Sequence, residues 1–370
     1  MSERWSGRLG VDPARLAPWV LRLVGLVVVV MAPVLVGNAW LRVGQYVMIG
    51  SVGAIGLTLL TGQAGQLSLA TPFFMFVGGI TYCVLATPDR PGRFGLGLPS
   101  ALALLGAVLV PAVLGLAFAP VAGRVRGVYL GVATLSLVYV GLYLGQRWTS
   151  ISGGTASGRS TPDLNLFGLT FLHAESREKR VWYLFCALTA LAAVLASGAV
   201  RSRPGRAWRA IRDNPAAAAA LGVPVPRVRT EAFAVSSGYA GLAGVMTAMW
   251  YRLLKPDESE FVGTWSVQVA IGFLAMVLIG GLGSVGGAIA GAALVNGLPG
   301  ALTLWTGGSQ LFGSGPTAVT PMIFTSFVYG AAIILVVLFE PGGLAALARR
   351  VLPTLGAAPI SSVHRPRKGI

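Results

Sequence analysis

The stretch TGQAGQLSL, residues 61–69, places Gln63, Gln66 and Ser68 beside Gly62 and Gly65, between two apolar runs. Amides and a hydroxyl at that depth can hydrogen-bond a polar solute. The glycines let the backbone break and present its own N–H and C=O groups to a cavity. This is the chemistry of binding and passage, not of bond-making. Close helix packing through small side chains is the competing use of the same residues. A second stretch, IGGLGSVGGAIAG at 279–291, has related spacing: Gly280, Gly283 and Val285 fall as Gly62, Gly65 and Leu67 do, with Ser284 in the place of Gln66. The correspondence hints at two related halves, although a match this short and glycine-rich also arises by chance. Thr134 and Ser136 add hydroxyls to the apolar run at 127–146.

A third segment, GRAWRAIRDNPAAAAALGV at 205–223, is rich in arginine and small residues. On a helix Ala207, Ala210 and Ile211 share one face. Gly205 and Arg206 lie at its start, and Arg212 and Asp213 at its end. Pro215 interrupts that helix and suits the first turn of another. The second helix, running through Ala217 and Ala218, ends near Gly222, a residue type that favours the position after a helix. Two short helices of this kind can seat in a groove on a partner protein or lie on anionic lipid; the residues themselves leave both open.

Other chemistries lack their residues. Asp163 and Asp213 are isolated, so no carboxylate pair is available for acid–base work. Cys83 and Cys186 sit in apolar runs and read as small core residues, and His173 and His364 lie in polar segments, so neither a disulfide framework nor a metal centre is expected. No Gly-x-x-x-x-Gly-Lys-Ser/Thr sequence occurs, so nucleotide hydrolysis by that route is excluded.

These segments are positioned by an unusually apolar chain. Hydrophobic residues make up 55% and charged residues 11% of 370, with a mean hydropathy of +0.74; soluble domains carry about 25% charged residues. An all-α, polytopic transmembrane bundle is expected, with lipid as its main solvent. Apolar runs near 20–36, 43–61, 66–86, 100–119, 127–146, 181–200, 232–251, 264–282, 285–305 and 321–339 predict about ten spans, with the boundaries around 43–86 and 264–305 blurred by glycine. Apart from Arg22 at the start of the first, none of these cores holds Asp, Glu, Lys, Arg or His, which argues against proton coupling and voltage sensing.

The net charge of +16 is carried between the runs. Basic clusters in the N-terminal segment, in 201–230 and in the tail predict cytoplasmic termini by the positive-inside rule, with 147–180 and 252–262 on the outer side. Nucleic acid is not an expected partner, because no polar stretch interleaves arginine with aromatic residues. The run at 20–36 reads as a retained signal anchor. The expected organisation is a cytoplasmic segment at 1–19, a membrane domain at 20–340 enclosing the loop 201–230, and a cytoplasmic tail at 341–370.

Four stretches together, GLTLLTGQAGQLSLATPFF (56–74), GVYLGVATLSLVYVGLYLGQRWTSISGGT (127–155), GRAWRAIRDNPAAAAALGVPVPRVR (205–229) and IGGLGSVGGAIAGAAL (279–294), resemble the LivM-type permeases of branched-chain amino acid ABC transporters, in a wider group that also serves urea and short amides. The resemblance covers nearly the whole chain in the family's order. It implies an importer subunit in the cytoplasmic membrane that binds no cofactor itself. Its implied partners are two ATPases that bind ATP, a LivH-like sister permease and an external solute-binding protein. It also implies that the 205–222 loop is the ATPase coupling segment, its Ala-Ala-x-x-x-Gly pattern falling on Ala217, Ala218 and Gly222. Two departures bear on the solute: Ala70 and Thr71 stand where relatives often have Gly-His, and Ala156-Ser157 where Asn-Gly is common.

Overall fold

The computed structural model describes residues 30–124, 127–166, 169–171, 177–256, 265–305 and 342–351, with isolated positions between 324 and 335. The runs expected at 20–36 and 321–339 therefore fall largely outside the described residues. The other eight all fall on helices.

Helix α1 (Asn38–Leu57) passes into a π-helical turn, Thr58–Gln63, and then an irregular segment leads to α2 (Thr71–Ala86), with Pro72 in its first turn. Helices α3 (Ser100–Arg124), α4 (Val128–Arg147) and α5 (Arg177–Arg201) follow. Two short helices, α6 (Arg203–Asp213) and α7 (Pro215–Ala220), precede the long α8 (Val225–Tyr251). Next come α9 (Val267–Gly280), α10 (Val285–Trp305) and the terminal α11 (Gly343–Val351). Among the described residues, six helices are long and apolar enough to cross a membrane: Asn38–Gln63, Ser100–Pro120, Tyr129–Arg147, Arg177–Arg201, Val225–Tyr251 and Val285–Trp305. Thr71–Ala86 and Val267–Gly280 are shorter apolar helices.

Helix α8 is the centre of the bundle, packed against α1, α2 and α3. Small residues make this possible, because in lipid helices associate through close backbone approach and not through a difference in hydrophobicity. A Cβ on Gly241 would lie 2.6 Å from the carbonyl of Ala107, and one on Gly78 would lie 2.4 Å from the carbonyl of Gly241. Aromatic packing fills the remaining space, with Phe233 meeting Phe74 and Phe118 at centroid separations of 5.9 and 5.8 Å.

The two ends of the bundle are built differently. At one end, β1 (Arg159–Ser160) pairs antiparallel with β4 (Leu253–Leu254), and Thr161 donates through Oγ1 to the carbonyl of Ala248 at 2.7 Å. The loops around 90–98, 147–166 and 252–256 meet here, and the last two lie in segments assigned to one side. Between β1 and β4, β2 (Asn165–Leu166) and β3 (Leu169–Thr170) form a separate hairpin.

Arg159 fastens this cap. It is 3% exposed and donates to the carbonyl of Ile151 at 2.8 Å and to that of Phe94 at 2.7 Å. Burial pushes its guanidinium pKa below the ordinary value, Cys83 opposes that shift, and Arg93 adds to it. Arg159→Ala strands two buried carbonyls, so a destabilisation of about 2 kcal/mol is expected from loss of hydrogen bonds to a charged group. Thermal unfolding in detergent, with faster amide exchange confined to 147–166, is the measurement that checks it.

Candidate functional site

The opposite end of the bundle gathers the glycine-rich segments and the arginine-rich loop. The 61–69 stretch is a true break: π-helical to Gln63, with Gly65 in the left-handed region at φ +68° and non-helical chain to Ala70. The second stretch breaks likewise between α9 and α10, with Gly281 at φ +109° and Gly283 at φ +84°. Gly65 and Gly283, matched by spacing in the sequence, thus share a conformation that glycine adopts at little steric cost.

The two breaks face each other. Gln63 Nε2 donates to the carbonyl of Gly283 at 2.7 Å. The backbones approach so closely that a Cβ on Gly62 would lie 2.2 Å from the amide nitrogen of Gly283. Gln66 Nε2 donates to the carbonyl of Arg229 at 3.2 Å, tying the first break to the start of α8. Ser68 Oγ accepts from the Ala70 amide at 3.3 Å. Thr134 Oγ1 accepts from the Leu69 amide at 2.9 Å while donating back to α4. Gln63, Gln66, Ser68 and Thr134 are therefore buried and bonded to protein.

The remaining hydroxyls behave differently. Ser284 Oγ accepts from the Gly287 amide at 3.1 Å and caps the start of α10. Ser136 lies on the exposed face of α4, bonded only to that helix's own carbonyls, away from Thr134. The structure thus joins Gln63, Gly65, Gln66, Ser68, Thr134, Gly283 and Ser284 around one junction and leaves Ser136 outside it.

The 201–230 loop is built as two short helices. In α6, Gly205, Trp208 and Ile211 are buried, Ala207 and Ala210 half-buried, and Arg206 and Asp213 exposed. A Cβ on Gly205 would lie 2.3 Å from the carbonyl of Val200, which folds α6 tightly back on α5. Asn214 caps α7, accepting from the amides of Ala216 and Ala217 at 3.0 Å each. The helix closes on Gly222 at φ +82°, with Val223 donating to the carbonyl of Ala218, the arrangement that commonly ends helices on glycine. Ala217 and Gly222 are exposed, whereas Ala218 turns inward, and Leu221 is 84% exposed.

The loop holds the first break directly. Arg212 Nη1 donates to the carbonyl of Gly62. Arg209 Nη1 reaches Gln63 Oε1 at 3.5 Å and the carbonyl of Val200 at 3.0 Å. A Cβ on Gly65 would sit 3.0 Å from Arg212 Cγ. Arg209, Asn214, Arg229 and Leu221 were not singled out as site residues by spacing. An arginine in a basic loop gives no sign of the carbonyl it will reach, although Asn-Pro before an alanine run is a readable cap signal.

Comparison with known proteins decides the family. The model of the branched-chain amino acid transport system permease component matches residues 39–337. The chain belongs to this permease family. It is 30% identical to the high-affinity branched-chain amino acid transport system permease protein LivM of Salmonella typhimurium, over 70% of this chain and 62% of the relative. The figures for LivM of Escherichia coli K12 are 30%, 71% and 64%. LivH of Salmonella typhimurium is 26% identical, over 79% of this chain and 89% of the relative. The match thus spans less than two thirds of the LivM proteins' own length. No solved structure matches the chain. As a family member the chain is a multi-pass membrane protein, and its glycine breaks and arginine loop both lie within the matched region.

Proposed function

We propose that this permease is a pore-forming subunit of an ABC importer for branched-chain or related amino acids, and that the paired glycine breaks form its inner gate. The observation that carries the proposal is the direct bonding of Arg212 and Arg209 to Gly62 and Gln63. A loop with an exposed docking face is thereby tied to a junction where two helix breaks meet. Movement of α6 and α7 on an ATPase pulls on the carbonyl of Gly62 and on Gln63, and the Gln63–Gly283 contact passes that displacement to the second break. That Gln63, Gln66 and Thr134 are all bonded to protein supports reading this conformation as one with the inner end closed.

The chain itself performs no covalent chemistry in this scheme. ATP is bound and hydrolysed by two partner ATPases, and a solute-binding protein delivers cargo to the Arg159 end. Similarity to both LivM and LivH supports a sister permease of related fold. Both termini and the 201–230 loop lie in the cytoplasm, in the cytoplasmic membrane of the cell. Cargo selection rests mainly with the binding protein, because the junction offers amides and hydroxyls but no carboxylate to pair with an amino group.

Purification of the tagged chain in mild detergent, with mass spectrometry of co-purifying proteins, tests the proposal. An ATPase is expected, and is expected to be lost when 205–222 is replaced by a Gly/Ser linker. Absence of any ATPase, under conditions that keep another ABC complex whole, overturns the proposal in favour of a channel or carrier.

A further inference from the structure

The tail contains a counterpart to the coupling loop. In α6 the sequence runs Arg203-Pro204-Gly205, with Trp208 four residues after the proline and Arg212 eight after it; before and through α11 it runs Glu340-Pro341-Gly342, with Ala345 and Arg349 at the same offsets. Each of these helices meets one of the glycine breaks. Arg212 of α6 abuts Gly62 and Gly65, as described. A Cβ on Gly343 of α11 would lie 2.5 Å from the amide nitrogen of Gly281 and 2.8 Å from the carbonyl of Ile279. A Cβ on Gly281 would lie 2.4 Å from the carbonyl of Gly342, and one on Gly287 would lie 3.1 Å from Ala345 Cβ. Gly343 itself is left-handed at φ +66° and buried. The contact is backbone against backbone, the closest kind that packing allows and the least able to yield.

We infer that α11 is a second transmission element, with Gly343 and Ala345 as positioning residues that hold the second glycine break as α6 holds the first. The inference rests on the gating role proposed above. A continuous line of contact runs α6, first break, second break, α11: Arg212 to Gly62, Gln63 to Gly283, Gly281 to Gly343. A gate made of two breaks needs both to be held, or a pull on one is dissipated by slack in the other. Helix α11 is therefore part of the gate.

The test uses the complex purified with its co-purifying ATPase, comparing wild type, Ala345→Trp and Ala345→Ser. The readout is amide hydrogen exchange with and without Mg-ATP, together with uptake of a radiolabelled branched-chain amino acid by cells. Amides of both 61–69 and 279–287 are expected to change protection with nucleotide in the wild type. Ala345→Trp is expected to remove the nucleotide response at 279–287 and to lower uptake at least tenfold while the ATPase still co-purifies. Ala345→Ser, which adds one atom, is expected to keep both. A nucleotide-insensitive 279–287 segment in the wild type overturns the inference, as does an Ala345→Trp complex with unchanged response and uptake. Loss of the response in Ala345→Ser as well also overturns it, because the contact then acts only in folding. Failure to recover an ATPase with the wild-type chain sinks the underlying gating proposal instead, so the two failures are told apart.

Discussion

Gly62→Ala, the addition of one methyl group, is expected to abolish uptake, lowering it by about a hundredfold or more. The new Cβ would stand 2.2 Å from the Gly283 nitrogen, 2.7 Å from its Cα and 3.1 Å from the carbonyl carbon of Leu282. All three are main-chain atoms, so no flexible side chain can give way. Overpacking of this kind costs about 1–3 kcal/mol, and here the cost falls wholly on the junction that must close. The breaks would be held apart, and the Gln63–Gly283 bond would lengthen or be lost. Gly286→Ala is the matched control: it lies in the second glycine stretch, a Cβ there meets nothing within 4 Å, and uptake should stay at the wild-type level. Transport assays on the two variants at equal membrane abundance give the answer. Equal uptake by both would show that the junction tolerates separation and is not a gate.

The second large effect concerns docking. Ala217→Glu is expected to break ATPase association without disturbing the loop. Ala217 is exposed and is the third residue of α7, directly bonded to the Asn214 cap. A glutamate there suits the helix in isolation, since it matches the capping-box position and the positive end of the helix dipole. The substitution therefore separates docking from folding. Burying an unpaired carboxylate in a partner's cleft costs about 2–5 kcal/mol, so ATPase recovery in the pull-down should fall at least about thirtyfold by the usual conversion of 1.4 kcal/mol per decade. Membrane insertion and thermal stability should be unchanged. Full ATPase recovery and uptake in Ala217→Glu would remove α7 from the docking surface. Ala218 is not equivalent despite its place in the same alanine run, because its side chain is 2% exposed and packs on the chain's own core.

The contrast between Ala217 and Ala218 shows how far a linear pattern reaches. The alanine run, Pro215 and Gly222 predict a short helix with a glycine end, and the structure has it, because capping and helix termination are settled within a few residues of chain. Which alanine faces outward depends on how α7 lies against α8, and nothing in an all-alanine stretch records that. Thr134 and Ser136 repeat the lesson. Both are hydroxyls in one apolar helix, yet a two-residue step on a helix turns the side chain through about 200°, and only Thr134 reaches the amide of Leu69.

The membrane character, the eight described apolar helices, the sites of both glycine breaks and the two-helix form of the 201–230 loop were all determined by the sequence itself. Lipid as solvent demands long apolar runs that satisfy their own backbone bonds, and the interruptions stand out against that background as glycine and amide clusters. Arginine placement also put 147–180 and 252–262 together, and 147–166 does meet 252–256. The tertiary structure alone decided that the two breaks touch, that Arg212 holds Gly62, and that the C-terminal helix closes on Gly281. Gln63 and Gly283 are 220 residues apart and Arg212 and Gly62 are 150 apart. Contacts at such separations come from helix packing across the whole bundle, where a missing Cβ decides how near two backbones may come, and one sequence read along its length carries the glycine but not its neighbour.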